Sequence, residues 1–443
     1  MYRQTDIELM KKNIDTIKDD AMRKKLDTLE PSLKEFKEVY EIIVQYIKKN
    51  KLKIYGGYAQ NHLIKIKNEN DSFYKELDLA DIEFYSYEPI KHLIELCDIL
   101  HEKGYKYVQG AEGVHEETYK IFVNFINYCD ITYMSKNIYD NIPVIEENGI
   151  LYTHPHFMLI DAFRVYADPL TSYFRLDKTF NRFNTLMKYY PFNLEKADDK
   201  AQYQSANIET KRFVRHHVLH NSQLIVIGHY AYNYLVKKVK EQFVVDNCSY
   251  YQAISINYDE DKVKLRTFLT SNLKNISYKE FYPFTQFYDK HTEFYQNGIC
   301  ILKLYGHNNR CIVNQYSEKK KVYFGTFQLI FLYLLVDYHY AMIRRDENEK
   351  KNYMILITRL LKARNLYLDS HSKTILDRTP FQEFTLQCLG STEDPLRMAR
   401  LEEKKKRTEG KQAKFRYDPR GNPGKVPNYK FTNSSGNEIL KNK

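Results

Sequence analysis

Apolar residues recur at three-to-four spacing through DIELMKKNIDTIKDDAMRKKLDTL and again through SLKEFKEVYEIIVQYIKK, so residues 1–50 predict two helices, the second beginning near Pro31. From Lys51 the period changes. KIY is a short apolar strand that meets Gly56 and Gly57 and at once becomes a helix, YAQNHLIK; after a polar stretch, ELDLADIEFYSY alternates as a strand. A helix through KHLIELCDILHEKG stops at Gly104, and strands follow near YKYVQ, ETYKIFVNF and CDITYM. Helical spacing resumes from HPHFMLIDAFRVY to FNTLMKYY, broken at Pro169.

The chain then repeats itself. Residues 226–237, VIGHYAYNYLVK, set against residues 54–65, IYGGYAQNHLIK, share Gly, Tyr, Ala, Asn, Leu and Lys at six of twelve positions with an offset of 172. A β-like AISINYD, a helical KVKLRTFLTSNL, a strand pair in EFYQNGICILKLY and RCIVNQY, and an apolar helix FQLIFLYLLVDYHYAMIRR then echo the order of the first half. The pattern predicts a duplicated α/β (α+β) fold with flanking helices. A last helix, YMILITRLLKARNLYLD, precedes a linker around residues 370–380; beyond Gly390 the chain is polar, carries Pro395, Pro419, Pro423 and Pro427, and predicts a flexible arm.

At 443 residues the chain has room for two or three domains, expected as N-terminal helices (1–50) packing on a first domain (51–190), a second domain (191–390) and a tail (391–443). Net charge adds one distinction. The tail holds 14 Lys and Arg against 7 Asp and Glu, hence +7 of the total +11, which suits either a polyanion or plain solubility. No apolar run is long enough for a membrane span, and MYRQTDIELMKKN lacks the apolar core of a signal peptide, which argues for an intracellular protein without a membrane partner. Six scattered cysteines, without CxxC spacing, read as ordinary thiols rather than zinc ligands.

The chemistry gathers between Lys53 and Glu83. A Gly-Gly bend into a helix lets backbone approach a phosphate and aims free N–H groups at it, although such bends are common without any ligand. Asp81 and Glu83, two residues apart on a strand, face one side of the sheet; alone, such a pair is as readily a solvated face. Asp130, among apolar and aromatic residues in YKIFVNFINYCDITYM, is a candidate third acid, with Asp78 a competing one. Two or three carboxylates beside a phosphate cradle outline a magnesium site. Farther along, Arg175, Lys178 and Arg182 fall at i, i+3 and i+7; this stripe either meets a triphosphate or RNA backbone, or pairs with Asp177 on a solvated face.

In this order and spacing, the Gly56-Gly57 turn, Asp81 with Glu83, and the later Asp130 resemble nucleotidyltransferases of the polymerase-beta type. With the stretch His154-Pro155, Asp161, Arg164, Asp168-Pro169, Arg175 and Lys178, and a second copy lacking acids, the chain is similar to the poly(A) polymerases of large nucleocytoplasmic DNA viruses, the mimivirus-like group in particular. Glu83 departs from the usual Asp, a change that keeps an oxygen ligand.

The resemblance implies a catalytic first nucleotidyltransferase domain and a degenerate second one. Glu83 and Asp81 would map by the fixed offset onto Ser255 and Ala253, and the second glycine onto His229. It further implies template-independent addition of AMP from ATP to the 3′ end of viral messenger RNA, with Mg2+ or Mn2+ on Asp81, Glu83 and Asp130. Gly56 and Gly57, with Arg175 or Lys178, would hold the nucleotide. A homodimer in the host cytoplasm or the virion is also implied. A uridylyl- or oligoadenylate-forming enzyme would carry the same acids, and an RNA-binding scaffold is the non-catalytic alternative.

Overall fold

The computed structural model describes residues 2–28, 32–75, 78, 80–115, 117–193, 206–245, 249–285, 287–307, 310–410 and 414–420. In chain order the elements begin α1 (Gln4–Thr28), α2 (Leu33–Lys49), β1 (Lys53–Tyr55), α3 (Gly56–Lys65), β2 (Ile82–Ser86), α4 (Pro89–Glu102), β3 (Gln109–Glu112), β4 (Thr118–Val123) and β5 (Ile126–Tyr133). They continue α5 (Lys136–Asn141), β6 (Val144–Glu147), β7 (Ile150–Thr153), α6 (Pro155–Tyr166), α7 (Pro169–Ser172), α8 (Leu176–Tyr189), α9 (Ile208–Val214), β8 (Ile225–Ile227), α10 (Gly228–Val236), β9 (Tyr251–Ser255) and α11 (Tyr258–Asn272). The remainder are β10 (Ile276–Phe281), β11 (His291–Gln296), β12 (Ile299–Gly306), β13 (Ile312–Ser317), β14 (Val322–Gly325), α12 (Phe327–Ile343), α13 (Glu347–Ser370), β15 (Cys388–Leu389), α14 (Pro395–Thr408) and β16 (Arg416–Tyr417). Among the described residues no helix is long and apolar enough to cross a membrane.

Among the described residues contacts divide the chain into two units: those within 1–133, 144–153 and 399–420 form the first, and those within 134–143 and 154–398 the second. The division differs from a boundary at 190, because α6 packs on α12 and α8 packs on α6, which draws residues 154–190 into the second unit. Nor is the whole basic tail a free arm. It forms α14, and β16 adds antiparallel to β3 (Arg416 opposite Ala111), with Phe415 and Tyr417 buried. Residues 421–443, the rest of the expected arm, lie outside the described ones.

The first unit's sheet runs β16-β3-β4-β5-β2-β1-β7-β6. Strand alternation buries Ile82, Phe84, Cys129 and Ile131 on one side, where Leu93, Leu96 and Leu100 of α4 also bury their side chains. It leaves Glu83 and Asp130 on the other. α2 buries Phe36, Val39, Ile43 and Ile47, whereas much of α1 stays exposed. The hairpin β6–β7 escapes the sequence pattern, yet its turn, Asn148-Gly149 with φ of 54° and 78°, is the dipeptide that favours a tight hairpin. Near YKYVQ the strand starts later than expected, at Gln109.

The second unit repeats this sheet strand for strand: β10-β11-β12-β9-β8-β14-β13, with β15 at the β13 edge. Orientations agree as well, β8 running antiparallel to β9 and parallel to β14 as β1 does to β2 and β7. The expected strand EFYQNGICILKLY is two strands, folded back at Asn297-Gly298 (φ 50° and 79°), and RCIVNQY pairs with β14 and β15 instead. Cys311 and Cys388, expected as separate thiols, are joined by a disulfide across a Cα–Cα distance of 5.3 Å, while Cys97, Cys129 and Cys300 are free.

The fixed offset of 172 does not survive into the second strand. Tyr55 pairs with Glu83 and Ile227 with Gln252, so the counterpart of Glu83 is Gln252 (252 minus 83, an offset of 169) and not Ser255. By the same register Asp81 corresponds to Tyr250 rather than Ala253. The connection preceding β9 is shorter, and strand pairing, not sequence spacing, sets equivalence.

Burial dominates four histidines of the second unit. It pushes the imidazoles of His154 and His229 down to about 4 and those of His307 and His339 to about 3. Folded values below the unfolded one mean that the neutral rings stabilise the fold fully above pH ~6.5 and lose that contribution as pH falls through the folded values. Between pH 6.5 and 4 each such ring should withdraw roughly 3 kcal/mol, at ~1.4 kcal/mol per unit. Denaturant unfolding followed from pH 7.5 to 4 should show this loss, and a His307→Gln, His339→Gln protein, compared with wild type, should show a shallower one.

Candidate active site

The strand β1 delivers the chain to Gly56, whose φ of 69° lies where a side chain is strained, and α3 starts there. A Cβ on Gly56 would run into the Glu83 carboxylate, so glycine is required by both backbone and neighbour. Glu83 Oε2 accepts from the Gly57 backbone N–H at 2.8 Å and so occupies one of the free donors at the start of α3.

Parallel pairing of β2 with β5 sets Glu83 directly beside Asp130, and Asp81 precedes on the same face. Asp81 and Asp130 share a donor: Asn127 Nδ2 lies 3.3 Å from Asp81 Oδ2 and 2.8 Å from Asp130 Oδ1. Lys120 grips Asp130 from β4, its Nζ 2.8 and 2.5 Å from the two carboxylate oxygens. The structure therefore brings Gly56, Gly57, Asp81, Glu83 and Asp130 into one neighbourhood. Asp78 stands apart, accepting from the Lys75 backbone N–H at 2.8 Å.

Carboxylate oxygens on adjacent strands are the donor set that Mg2+ or Mn2+ takes. Among the described residues no three acids stand in ligating geometry together, because Gly57 N–H holds Glu83 and Lys120 holds Asp130. The residues fit a divalent ion in chemistry and adjacency, with Glu83 accepting from Gly57 N–H and Asp130 paired with Lys120.

Lys120 and Asn127 were not foreseen. Their positions follow from a β-bulge: Phe122 opposes Asn127, but Ile121 opposes Cys129, so Tyr128 is an extra residue and Lys120 moves opposite Asp130. The signal in the sequence is slight, a hairpin turn at Asn124 and Phe125 with φ of 47° and 65°.

Beside Asp81 a cavity of about 750 Å³ runs along α3 and α2, lined by Tyr40, Tyr58, Tyr74 and the lysines 37, 65 and 75. The Tyr40 hydroxyl donates to the Ala80 carbonyl; burial, and next the Asp81 charge, raise its pKa. The other expected cations belong to the second unit. Arg175 precedes α8, exposed, with its guanidinium 5.6 Å over the Phe174 ring; Lys178 and Arg182 are on α8, and Asp177 accepts from Asn181 at 3.0 Å.

Residues 184–443 match the family described as "APMV, Putative poly(A) polymerase, catalytic subunit, C-terminal", and residues 41–172 match "Poly(A) polymerase catalytic subunit". The "Putative poly(A) polymerase catalytic subunit" of Acanthamoeba polyphaga mimivirus is 34% identical over 490 aligned residues, covering 99% of this chain and 83% of that protein. A protein of the same description from African swine fever virus (isolate Pig/Kenya/KEN-50/1950) is 27% identical over 42% of this chain and 40% of its own length. Among solved structures, the Megavirus polyadenylate synthase superposes with a TM-score of 0.92 at 33% identity, covering 100% of this chain and 93% of that one.

Gly56→Ala should cost about 2–3 kcal/mol for the left-handed backbone and the displaced Glu83–Gly57 hydrogen bond together. Gly104→Ala, at φ 89° with open space around it, should cost the backbone part alone. Denaturant unfolding of both variants checks the difference; equal losses would mean that Glu83 yields without cost.

Proposed function

This chain belongs to the poly(A) polymerase catalytic-subunit family, and from that membership we propose that it extends the 3′ end of RNA with AMP from ATP, without a template, at the acid cluster of its first unit. It is a polynucleotide adenylyltransferase, and ATP and RNA are its substrates. The relatives' names favour adenylate over uridylate, and an intact acid set in the first unit argues against a non-catalytic scaffold. The register that sets Glu83 beside Asp130, with Asp81 on the same face, carries the reading.

In the reaction the RNA 3′-oxygen attacks the α-phosphorus, the bond to pyrophosphate breaks, and the hydroxyl proton passes to a carboxylate of the cluster or to water. Asp81, Glu83 and Asp130 would hold Mg2+ or Mn2+, which when bound neutralises the triphosphate and acidifies the attacking hydroxyl. The chain's own contribution is positioning. The N–H groups at the start of α3 seat phosphate oxygens once Glu83 releases Gly57. The tyrosine- and lysine-lined cavity beside Asp81 suits the RNA 3′ end, since rings stack bases and ammonium groups neutralise phosphates. Arg175 and Lys178 are exposed cations of the second unit, a chemistry suited to phosphates of an RNA chain.

A homodimer is part of the proposal. Ile7, Met10, Ile14 and Ile17 of α1 are 37%, 45%, 38% and 48% exposed and recur at the heptad spacing that suits pairing with a second helix. Two outcomes are expected. Asp81→Ala and Asp130→Ala should lower AMP incorporation into a labelled RNA at least about a thousandfold while circular dichroism stays unchanged, as loss of an ion-holding acid in a metal-dependent transfer implies; substantial residual activity refutes the site. Ile14→Asp should convert the dimer to a monomer in light scattering.

A further inference from the structure

Lys120 places an ammonium on both oxygens of Asp130, at 2.8 and 2.5 Å, with its own side chain 29% exposed and that of Asp130 13% exposed. Those oxygens are the ones a divalent ion would use. A divalent cation on the same oxygens would compete with that ammonium, since like charges a few ångströms apart repel in a half-buried site. Asn127 leaves Asp130 and Asp81 tied to one amide, and its own Oδ1 is buried without a hydrogen-bond partner, so the amide is dedicated to the two acids.

The second unit supplies an independent observation. It carries the same bulge at the same place: Tyr295 opposes Cys300, and Phe294 opposes Leu302. That bulge sets Glu293 opposite Lys303 as Lys120 stands opposite Asp130, and Lys303 Nζ lies 2.9 Å from Glu293 Oε1. The ion pair is kept and its charges are exchanged. In the second unit both partners are buried, 4% and 5% exposed, and the three acid positions carry Tyr250, Gln252 and Lys303, which need no ion. In the first unit the acid, Asp130, sits on β5 beside Glu83 of β2, and the cation, Lys120 of β4, is the more exposed partner.

We propose that Lys120 is the resident counter-ion of the acid cluster, holding Asp130 until a divalent cation displaces it, and that Asn127 keeps Asp81 and Asp130 within reach of that cation. Both are positioning residues. The inference rests on the reading of Asp81, Glu83 and Asp130 as the metal-holding acids.

The test uses the full chain without nucleotide, titrated with Mn2+ and followed by the electron paramagnetic resonance of free Mn2+. Lys120→Met should bind Mn2+ about tenfold more tightly, a small fraction of what removal of a unit charge a few ångströms away gives at low dielectric. Lys120→Arg, which keeps the charge, should stay near wild type, and Asn127→Ala should bind more weakly. In wild type, acetylation of Lys120 measured by mass spectrometry should accelerate when Mn2+ is added, whichever variant folds. Unchanged or weaker binding by Lys120→Met, or a Lys120 acetylation rate indifferent to Mn2+, overturns the proposal. Undiminished Mn2+ binding by Asp130→Ala and Asp81→Ala overturns instead the reading of the acids beneath it.

Discussion

Gathering Asp81, Glu83 and Asp130 on one face of two adjacent strands sets like charges against one another, and the surroundings of the first unit's site answer to that repulsion. Neighbouring strands lie only about 4.8 Å apart, so Glu83 and Asp130 cannot be separated without breaking the sheet. Three groups offset the repulsion, each on a different element: the Gly57 N–H of α3 at Glu83, the Asn127 amide between Asp81 and Asp130, and the Lys120 ammonium on Asp130. The Gly57 and Lys120 interactions are ones a phosphate or a cation can replace, while the amide keeps the two acids together. A transferase that must admit a charged substrate benefits from acids held by exchangeable partners.

The second unit shows the same architecture relieved of that constraint. Gln252 takes the place of Glu83 and donates from Nε2 to Asp337 of α12 at 2.7 Å and to the Tyr305 hydroxyl at 3.0 Å. Lys303 replaces Asp130 and lies 4.5 Å from the Tyr250 ring centroid. Every residue of β9 is buried, and α12 is apolar nearly all round, so the face that carries the acids in one copy is closed core in the other. Burial pushes Asp337 up to about 6, ahead of the opposing influence of Lys303, a sign of how dry this face has become. The two units share one scaffold, and in the second the positions of the acids serve packing.

The alternation and breaks of the sequence carried most of the architecture. The Gly-Gly bend, the alternating acid strand and the repeated GxYAxNxLxK pattern each express a local constraint, and local constraints leave periodic traces. What went astray did so for identifiable reasons. The hairpins at Asn148-Gly149 and Asn297-Gly298 turn on two residues inside otherwise continuous patterns. Tail residues 416–417 look polar and solvated until β3 offers them an edge. A constant offset cannot follow a duplicated fold through connections of unequal length.

By itself the sequence determined which residues could do chemistry and that they share a strand face, because side-chain type and a period of two are properties of the chain alone. Only the tertiary structure decided what those residues meet. One extra residue in β5 shifts Lys120 from opposite Cys129 to opposite Asp130, and the same bulge in β12 sets Glu293 against Lys303. A bulge costs little locally and is chosen by how whole strands fit their neighbours, so no short stretch of sequence records it, yet it determines which charge faces the acids.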